Sequence, residues 1–407
     1  MDKFIYTNRN EPELIFSLNH YVNLDEGKNR NKINKINSNL NNILNTEKNK
    51  ISNYYNNNSI SWDKLKKFSN EYEFIYTSSY ANDYRNISKY NPISRSFFKL
   101  WEIINNYDAI IPKDSTKLKT AHIAEGPGGF IECVYKYIEK NKINTINEIH
   151  GITLLSNNKT IPNWKIKKGF INKYNIHVNT NETGNGDLYD FNNITTFMNR
   201  VKNDSPEYNC CDFITADGGF DFSDNFNEQE NDFIIFLICE IYLVLNLLKL
   251  GGNAVIKIYD IYSKESIKIL YILSLFFEEI LIIKPLSSRP ANSEKYLLCK
   301  KFICNKEDFT KYEELFKKII INKDLKILDN ENAPYKFLKH ITNYNKFYTE
   351  RQIKYINKTI ELINKLKIHN NKNNKDIIND KMFLKNIYNI NKKYAVEWCN
   401  NYNIEIK

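Results

Sequence analysis

Apolar residues are distributed unevenly along the 407-residue chain. Residues 1–90 are dominated by asparagine and lysine, with NKINKINSNLNNILN at the extreme, and a stretch this polar makes a poor core by itself. Within it, Ile33, Ile36, Leu40 and Leu44 recur at helical spacing and predict a helix packed against a larger body. The texture changes from Ile93. In SRSFFKLWEII, residues 94–104, Phe97, Leu100, Trp101 and Ile104 share one helical face. Further on, short apolar runs alternate with helical patterns. Helices are expected over Gly129–Lys140, Phe191–Val201, Asn231–Leu250 and Ser263–Phe277. Strands are expected at the run before Glu125 and at Glu148–Leu155, Ile176–Val178, Asp212–Ala216, Gly252–Tyr259, Ile280–Lys284 and Tyr296–Phe302. Such alternation over about 200 residues predicts an α/β domain, a mainly parallel sheet with helices on both faces. Beyond residue 305 the pattern is helical, and Phe309–Ile321 and Gln352–Ile368 carry apolar stripes with lysine-rich outer faces. The chain therefore reads as an extension (1–90), an α/β domain (91–304) and a helical accessory region (305–407).

The stretch organising the α/β domain is Thr120–Glu132, TAHIAEGPGGFIE: a strand, a glycine-rich turn and the first turns of a helix. Glycines in such a turn accept positive φ and leave room for a ligand against the main chain. The following helix points its free N–H groups at the same place. A plain connection would look the same, so other residues must decide. A nicotinamide-binding turn would read GxGxxG, with an acidic residue ending the second strand. Here Gly126-Pro127-Gly128-Gly129 is followed by Phe130 and the second strand ends in GITL, which argues against NAD.

Composition narrows the class further. A net charge of +10 favours a polyanionic partner, although much of the lysine belongs to a chain-wide bias toward Lys, Asn and Ile. The seven cysteines form neither a CxxC pair nor a Cys/His cluster of zinc spacing, and their odd number suggests no disulfide framework or metal site. The longest apolar run, Phe233–Leu248, is interrupted by Glu240 and Asn246 and is short for a bilayer span. The expectation is a soluble intracellular protein with no membrane association.

Four polar residues stand out against their neighbours. Lys257 lies inside the apolar strand NAVIKIYD and Lys99 on the apolar helix, where each is either a snorkelling side chain or a functional one. Asp217 ends a strand before two glycines, and Glu294 follows the turn SRPANS; a turn residue and a surface charge are the alternatives.

The segments SRSFFKLWEI, AEGPGGF, GITL, GDLYDFNNI, TADGGF, GGNAVIKIYD and KPLSSRPANSEKYLLCK, in that order, resemble the FtsJ-like ribose 2′-O-methyltransferases. They are most similar to the branch that methylates the first transcribed nucleotides of capped messenger RNA. The similarity runs from about residue 94 to 302. It implies a Rossmann-like methyltransferase domain with a seven-stranded sheet. It implies S-adenosylmethionine as cofactor, held by Glu125, Gly126, Pro127, Gly128, Gly129, Phe130, Asp187 and Asp217. It also implies a catalytic tetrad of Lys99, Asp217, Lys257 and Glu294, and no metal. The partner implied is RNA, the capped mRNA 5′ end first, with capping-enzyme or polymerase partners reached through the flanks. Ribosomal or transfer RNA substrates, or an idle RNA-binding scaffold of the same fold, remain open. The composition resembles that of proteins from A/T-rich genomes, large cytoplasmic DNA viruses among them, which would put the protein in a host cytoplasm or virion.

The chemistry of the four residues agrees with those roles. A ribose 2′-hydroxyl is a weak acid, so methylation needs its proton removed or its oxygen aligned. Lys257 is the candidate for that contact. Burial and a second ammonium, Lys99, are expected to push its pKa down. Asp217 and Glu294 would hold the ammonium groups in place, and Asp217 would face the sulfonium. Aromatic residues within 72–84 are candidates for stacking on the cap base.

Overall fold

The computed structural model describes residues 5–6, 12–17, 27–54, 61–77, 85–113, 116–143, 146–202, 210–219, 227–368 and 374–407. Its strands are β1 (Ile5–Tyr6), β2 (Pro12–Ser17), β3 (Lys117–Ile123), β4 (Ile146–Ile152), β5 (Ile176–Val178), β6 (Cys211–Ala216), β7 (Leu248–Ile258), β8 (Phe277–Ile283) and β9 (Lys295–Phe302). The helices are α1 (Gly27–Asn49), α2 (Trp62–Leu65), α3 (Ser96–Asn106), α4 (Gly129–Lys140), α5 (Lys168–Lys173), α6 (Phe191–Lys202), α7 (Gln229–Leu247), α8 (Lys264–Ser274), α9 (Lys306–Asn322), α10 (Tyr335–Ile368) and α11 (Asn374–Asn401).

One sheet runs in the order β1-β2-β8-β9-β7-β6-β3-β4-β5. Its central seven strands, β8 to β5, are parallel except for β9, which is antiparallel to both its neighbours. From β3 the chain steps outward through β4 and β5, then returns to the other side of β3 at β6. That reversal makes the carboxyl ends of β3 and β6 diverge, the position where open α/β sheets bind ligands.

Successive strand residues feed opposite cores, as a pleated strand requires. Phe213 and Val255 face the cluster built by α3, α4 and the end of α11; Ile214, Ala254 and Ile256 face the cluster of α6, α7, α8, α9 and α10. Both flanking regions are thus packed into the cores of the central domain. Trp398, 1% exposed, lies edge-on to Phe98 of α3.

Several boundaries differ from the sequence reading. The helix expected to reach Leu250 stops at Leu247, because Leu248 already pairs with Cys211 in the sheet and Gly251 takes φ +76°. Within the N-terminal extension, β2 pairs antiparallel with β8, Leu14 opposite Ile282, and so covers a sheet edge. In α1, Ile33 and Leu44 are buried as expected, but Ile36 is 39% exposed. Asn37 faces inward instead, donating to Thr342 Oγ1 at 3.0 Å and accepting from Asn345 Nδ2 at 3.0 Å, both on α10. A satisfied amide there takes the place that hydrophobic spacing assigned to isoleucine. Among the described residues no helix is long and apolar enough to cross a membrane.

Candidate active site

The four singled-out polar residues converge at the carboxyl ends of β6 and β7. Asp217 directly follows β6, Lys257 is the penultimate residue of β7, Glu294 immediately precedes β9, and Lys99 projects from the first turn of α3. Lys99 Nζ lies 2.8 Å from the Glu294 carboxylate. Lys257 Nζ lies 3.4 Å from Asp217 Oδ1 and 3.9 Å from Glu294 Oε2. The four side chains are 10–14% exposed, so the charges are largely desolvated yet reachable from outside.

The expected depression of the Lys257 pKa is overturned. Burial does work in that direction, but the carboxylates of Asp217 and Glu294, 3.4 and 3.9 Å from the ammonium, act against it, and the net shift is upward. Lys99 does not act as the expected like charge because its ammonium is matched by Glu294. Glu294, although buried, is held well below the usual carboxylate range by Lys99, Lys257 and Lys284.

Residues that the sequence did not single out complete the site. Tyr296, fully buried, donates its hydroxyl to Asp217 Oδ1 at 3.0 Å. Glu240, 0% exposed in α7, accepts the Gly218 N–H at 3.0 Å and fixes the loop after β6. Burial pushes its carboxyl pKa well above the usual range. Its only sequence signal is a glutamate amid the apolar run of α7. Gly218 must lack a side chain, since a Cβ would meet Phe236 at 2.2 Å and Glu240 Oε1 at 2.5 Å. A Cβ on Gly219 would stand 3.0 Å from Lys257 Nζ, so bare backbone keeps the approach to the ammonium open.

The glycine turn after β3 is formed, and protein atoms stand close to where a side chain at each of its glycines would lie. Gly128 takes φ +114°, and a Cβ there would meet Ile166 at 2.6 Å. At Gly126 a Cβ would strike the Pro162 carbonyl at 2.3 Å, and at Gly129 the Ser94 and Ser96 hydroxyls. Pro127 follows Gly126 through a cis peptide bond. Glu125 accepts the N–H groups of Phe130 (2.6 Å) and Ile131 (3.4 Å), so its carboxylate caps α4. The Phe130 ring is fully buried against Tyr296, which leaves neither its side chain nor its N–H for a ligand.

The remaining strand ends join this turn. Thr153 Oγ1, in GITL, accepts the Gly126 N–H at 3.0 Å. Asn179, just past β5, accepts the Thr153 N–H at 3.0 Å and donates back to the Thr153 carbonyl at 2.9 Å. A Cβ on Gly186 would lie 2.0 Å from that same carbonyl, so glycine is required where the chain turns into Asp187. Asp187, half-buried, uses Oδ1 to accept the Tyr189 N–H at 2.9 Å. The candidate cap-stacking aromatics are already engaged: Phe74 is 2% exposed, Tyr72 packs on Tyr394, and Tyr76 on Phe98. Residues 78–84 lie outside those described.

This site, from the glycine turn to the tetrad, falls within residues 92–302, more than half of the chain, which match the FtsJ-like methyltransferase model. The chain belongs to the FtsJ-like methyltransferase family. Members of the FtsJ-like family use S-adenosylmethionine. The chain is 32% identical over 174 residues to the cap-specific mRNA (nucleoside-2′-O-)-methyltransferase of Autographa californica nuclear polyhedrosis virus, covering 43% of this chain and 60% of that protein. Similar proteins named cap-specific mRNA (nucleoside-2′-O-)-methyltransferase 1 occur in Dictyostelium discoideum (28% identical; 69% of this chain, 39% of that protein) and Xenopus laevis (30%; 54% and 27%). The chain thus spans less than two thirds of the length of each of these relatives.

Proposed function

We propose that this FtsJ-like chain transfers a methyl group from S-adenosylmethionine to the ribose 2′-oxygen of the first transcribed nucleotide of capped mRNA. The observation that carries the reading is the geometry around Lys257: an ammonium held between Asp217 and Glu294 at a strand end, with glycine backbone in front of it. Lys257 meets the 2′-hydroxyl. Its ammonium form orients the oxygen, and its neutral form accepts the proton as the new O–C bond forms. Lys99 and Glu294 hold Lys257 in register, and Tyr296 aligns Asp217.

The residues at the neighbouring strand ends suit the cofactor. Asp187 and Asp217 supply carboxylates, and Gly126 to Gly129 supply a turn shaped by Thr153 and by the Glu125 cap. When bound, S-adenosylmethionine supplies an electrophilic methyl group on a sulfonium, and the negative charge of Asp217 favours that cation nearby.

The cap-directed choice is supported by the names of the similar proteins and by Lys284–Lys300. A single-stranded 5′ end also brings its ribose to the strand ends without unfolding a helix. Methyl transfer from labelled cofactor to capped and triphosphate-ended RNA of one sequence, at fixed salt with the product nucleotide mapped, tests the reading. Preference for capped RNA with the label on the first nucleotide is expected. Equal rates or an internal label would reject cap specificity. No transfer to either RNA, or to ribosomal or transfer RNA, would leave an idle scaffold.

A further inference from the structure

We propose that Glu73, in the N-terminal extension, is a positioning residue for the methyl-transfer site, clamping together the two segments that carry Lys99 and Glu294; the inference rests on the function proposed above. Glu73 lies in a single 3₁₀ turn, Glu73–Ile75, and its side chain is 0% exposed. Oε1 lies 3.1 Å from Arg95 Nη1 and 2.8 Å from Arg289 Nη2, and Oε2 accepts from Arg289 Nε at 2.9 Å. Asn70 Nδ2 donates to Oε2 at 3.0 Å and Thr77 Oγ1 to Oε1 at 3.2 Å, so both oxygens are satisfied.

The two arginines belong to the segments that form the tetrad. Arg95 stands immediately before α3, one helical turn ahead of Lys99, and donates from Nε and Nη2 to the Ser287 carbonyl at 3.3 and 2.8 Å. Arg289 follows Ser288, whose hydroxyl donates to Glu294 Oε1 at 2.8 Å. Glu73 therefore ties the start of α3 to the loop that presents Glu294.

Charge makes the clamp more than packing. Burial raises the Glu73 pKa, but Arg95 and Arg289 outweigh it and bring the group down to about 2, so the carboxylate is ionised at any working pH. The same two guanidiniums also feel the field of Glu294. With the Glu73 charge removed, they compete with Lys99 and Lys257 for Glu294, and the tetrad loses its register.

Glu73→Gln keeps the shape and removes the charge. In the full chain, kcat is expected to fall at least tenfold, with KM for RNA and cofactor affinity by calorimetry each within twofold of the unsubstituted protein. The double variant Glu73→Gln/Arg289→Gln removes one competing guanidinium and is expected to recover part of kcat, which a loss of packing alone would not allow. Unchanged kcat in Glu73→Gln, or a double variant worse than the single, overturns the inference. A crystal structure of Glu73→Gln judges it independently of turnover: displacement of Glu294 from Lys99 toward the arginines is expected, and an undisturbed Lys99–Glu294 pair overturns it. An inactive unsubstituted chain would count against the proposed function, and the crystal structure would still decide the role of Glu73.

Discussion

Lys99 and Glu294 are separated by 195 positions in the chain and by 2.8 Å in the fold. Their meeting depends on how the loop before β9 docks on α3. Glu102, one turn beyond Lys99 on the buried side of that helix, accepts the N–H groups of Leu286 (2.8 Å) and Ser287 (3.1 Å) and the indole N–H of Trp398 (2.9 Å). The C-terminal helix therefore helps to fix a loop of the central α/β domain.

Lys257→Ala is expected to abolish methyl transfer while leaving S-adenosylmethionine affinity nearly intact, since Lys257 is assigned to the ribose hydroxyl. Calorimetry and a methylation assay on one preparation measure both. Retention of more than about a tenth of the activity, a loss under about 1.4 kcal/mol of transition-state stabilisation, would remove Lys257 from the centre of the mechanism.

The upward shift of the Lys257 pKa sets the pH dependence. The neutral amine is the minor form throughout the neutral range, so its fraction grows as pH rises. The rate at saturating substrate should climb by about tenfold per unit between about pH 7 and 9, without a plateau. A plateau below about pH 8 would show that the working enzyme does not hold Lys257 as an ammonium.

Gly128→Val should lower both stability and cofactor affinity, because φ +114° disfavours any side chain and the added atoms meet Ile166. Asp187→Ala should leave the fold intact and weaken cofactor binding by about 1–2 kcal/mol, the scale of one lost hydrogen bond to a buried ligand. Thermal melts alongside calorimetry separate the two effects, and unchanged affinity in both variants would put the pocket elsewhere.

Glu240→Gln should behave nearly as the unsubstituted protein, since burial works against a charge there and an amide oxygen can accept the Gly218 N–H equally well. Glu240→Ala strands that N–H and should cost about 1–3 kcal/mol in denaturant unfolding, with a fall in activity through Asp217. Equal behaviour of the two variants would refute a role for the hydrogen bond.

Glu73 also predicts an acid limit to stability. Its folded pKa lies below its ordinary value of 4.5, at about 2, so its contribution is fully present above that ordinary value and is lost as pH falls toward 2. The stability gap between the unsubstituted chain and Glu73→Gln should therefore be widest near neutrality and narrow through this window. A gap independent of pH would mean that the carboxylate charge carries none of it.

Local pattern alone determined the succession of strands and helices from α3 to β9 apart from the short helix α5, because hydrophobic period and glycine punctuation are properties of neighbouring residues. Lys99 and Lys257 stood out for the same reason, since a charge surrounded by apolar residues is conspicuous in one dimension. What only the tertiary structure decided is how those charges act on one another. Lys99 was expected to repel a proton from Lys257, yet the fold places Glu294 against Lys99 and surrounds Lys257 with carboxylates, which reverses the sign. That Ile166, Pro162, Ser94 and Ser96 crowd the glycines of the turn is likewise a fact of the fold, not of the local sequence. Glu73 lay in a stretch too polar to predict a core, and it is fully buried because two arginines from distant segments converge on it. Electrostatic shifts and steric requirements depend on distances of a few ångströms between residues far apart in the chain, which no local pattern specifies.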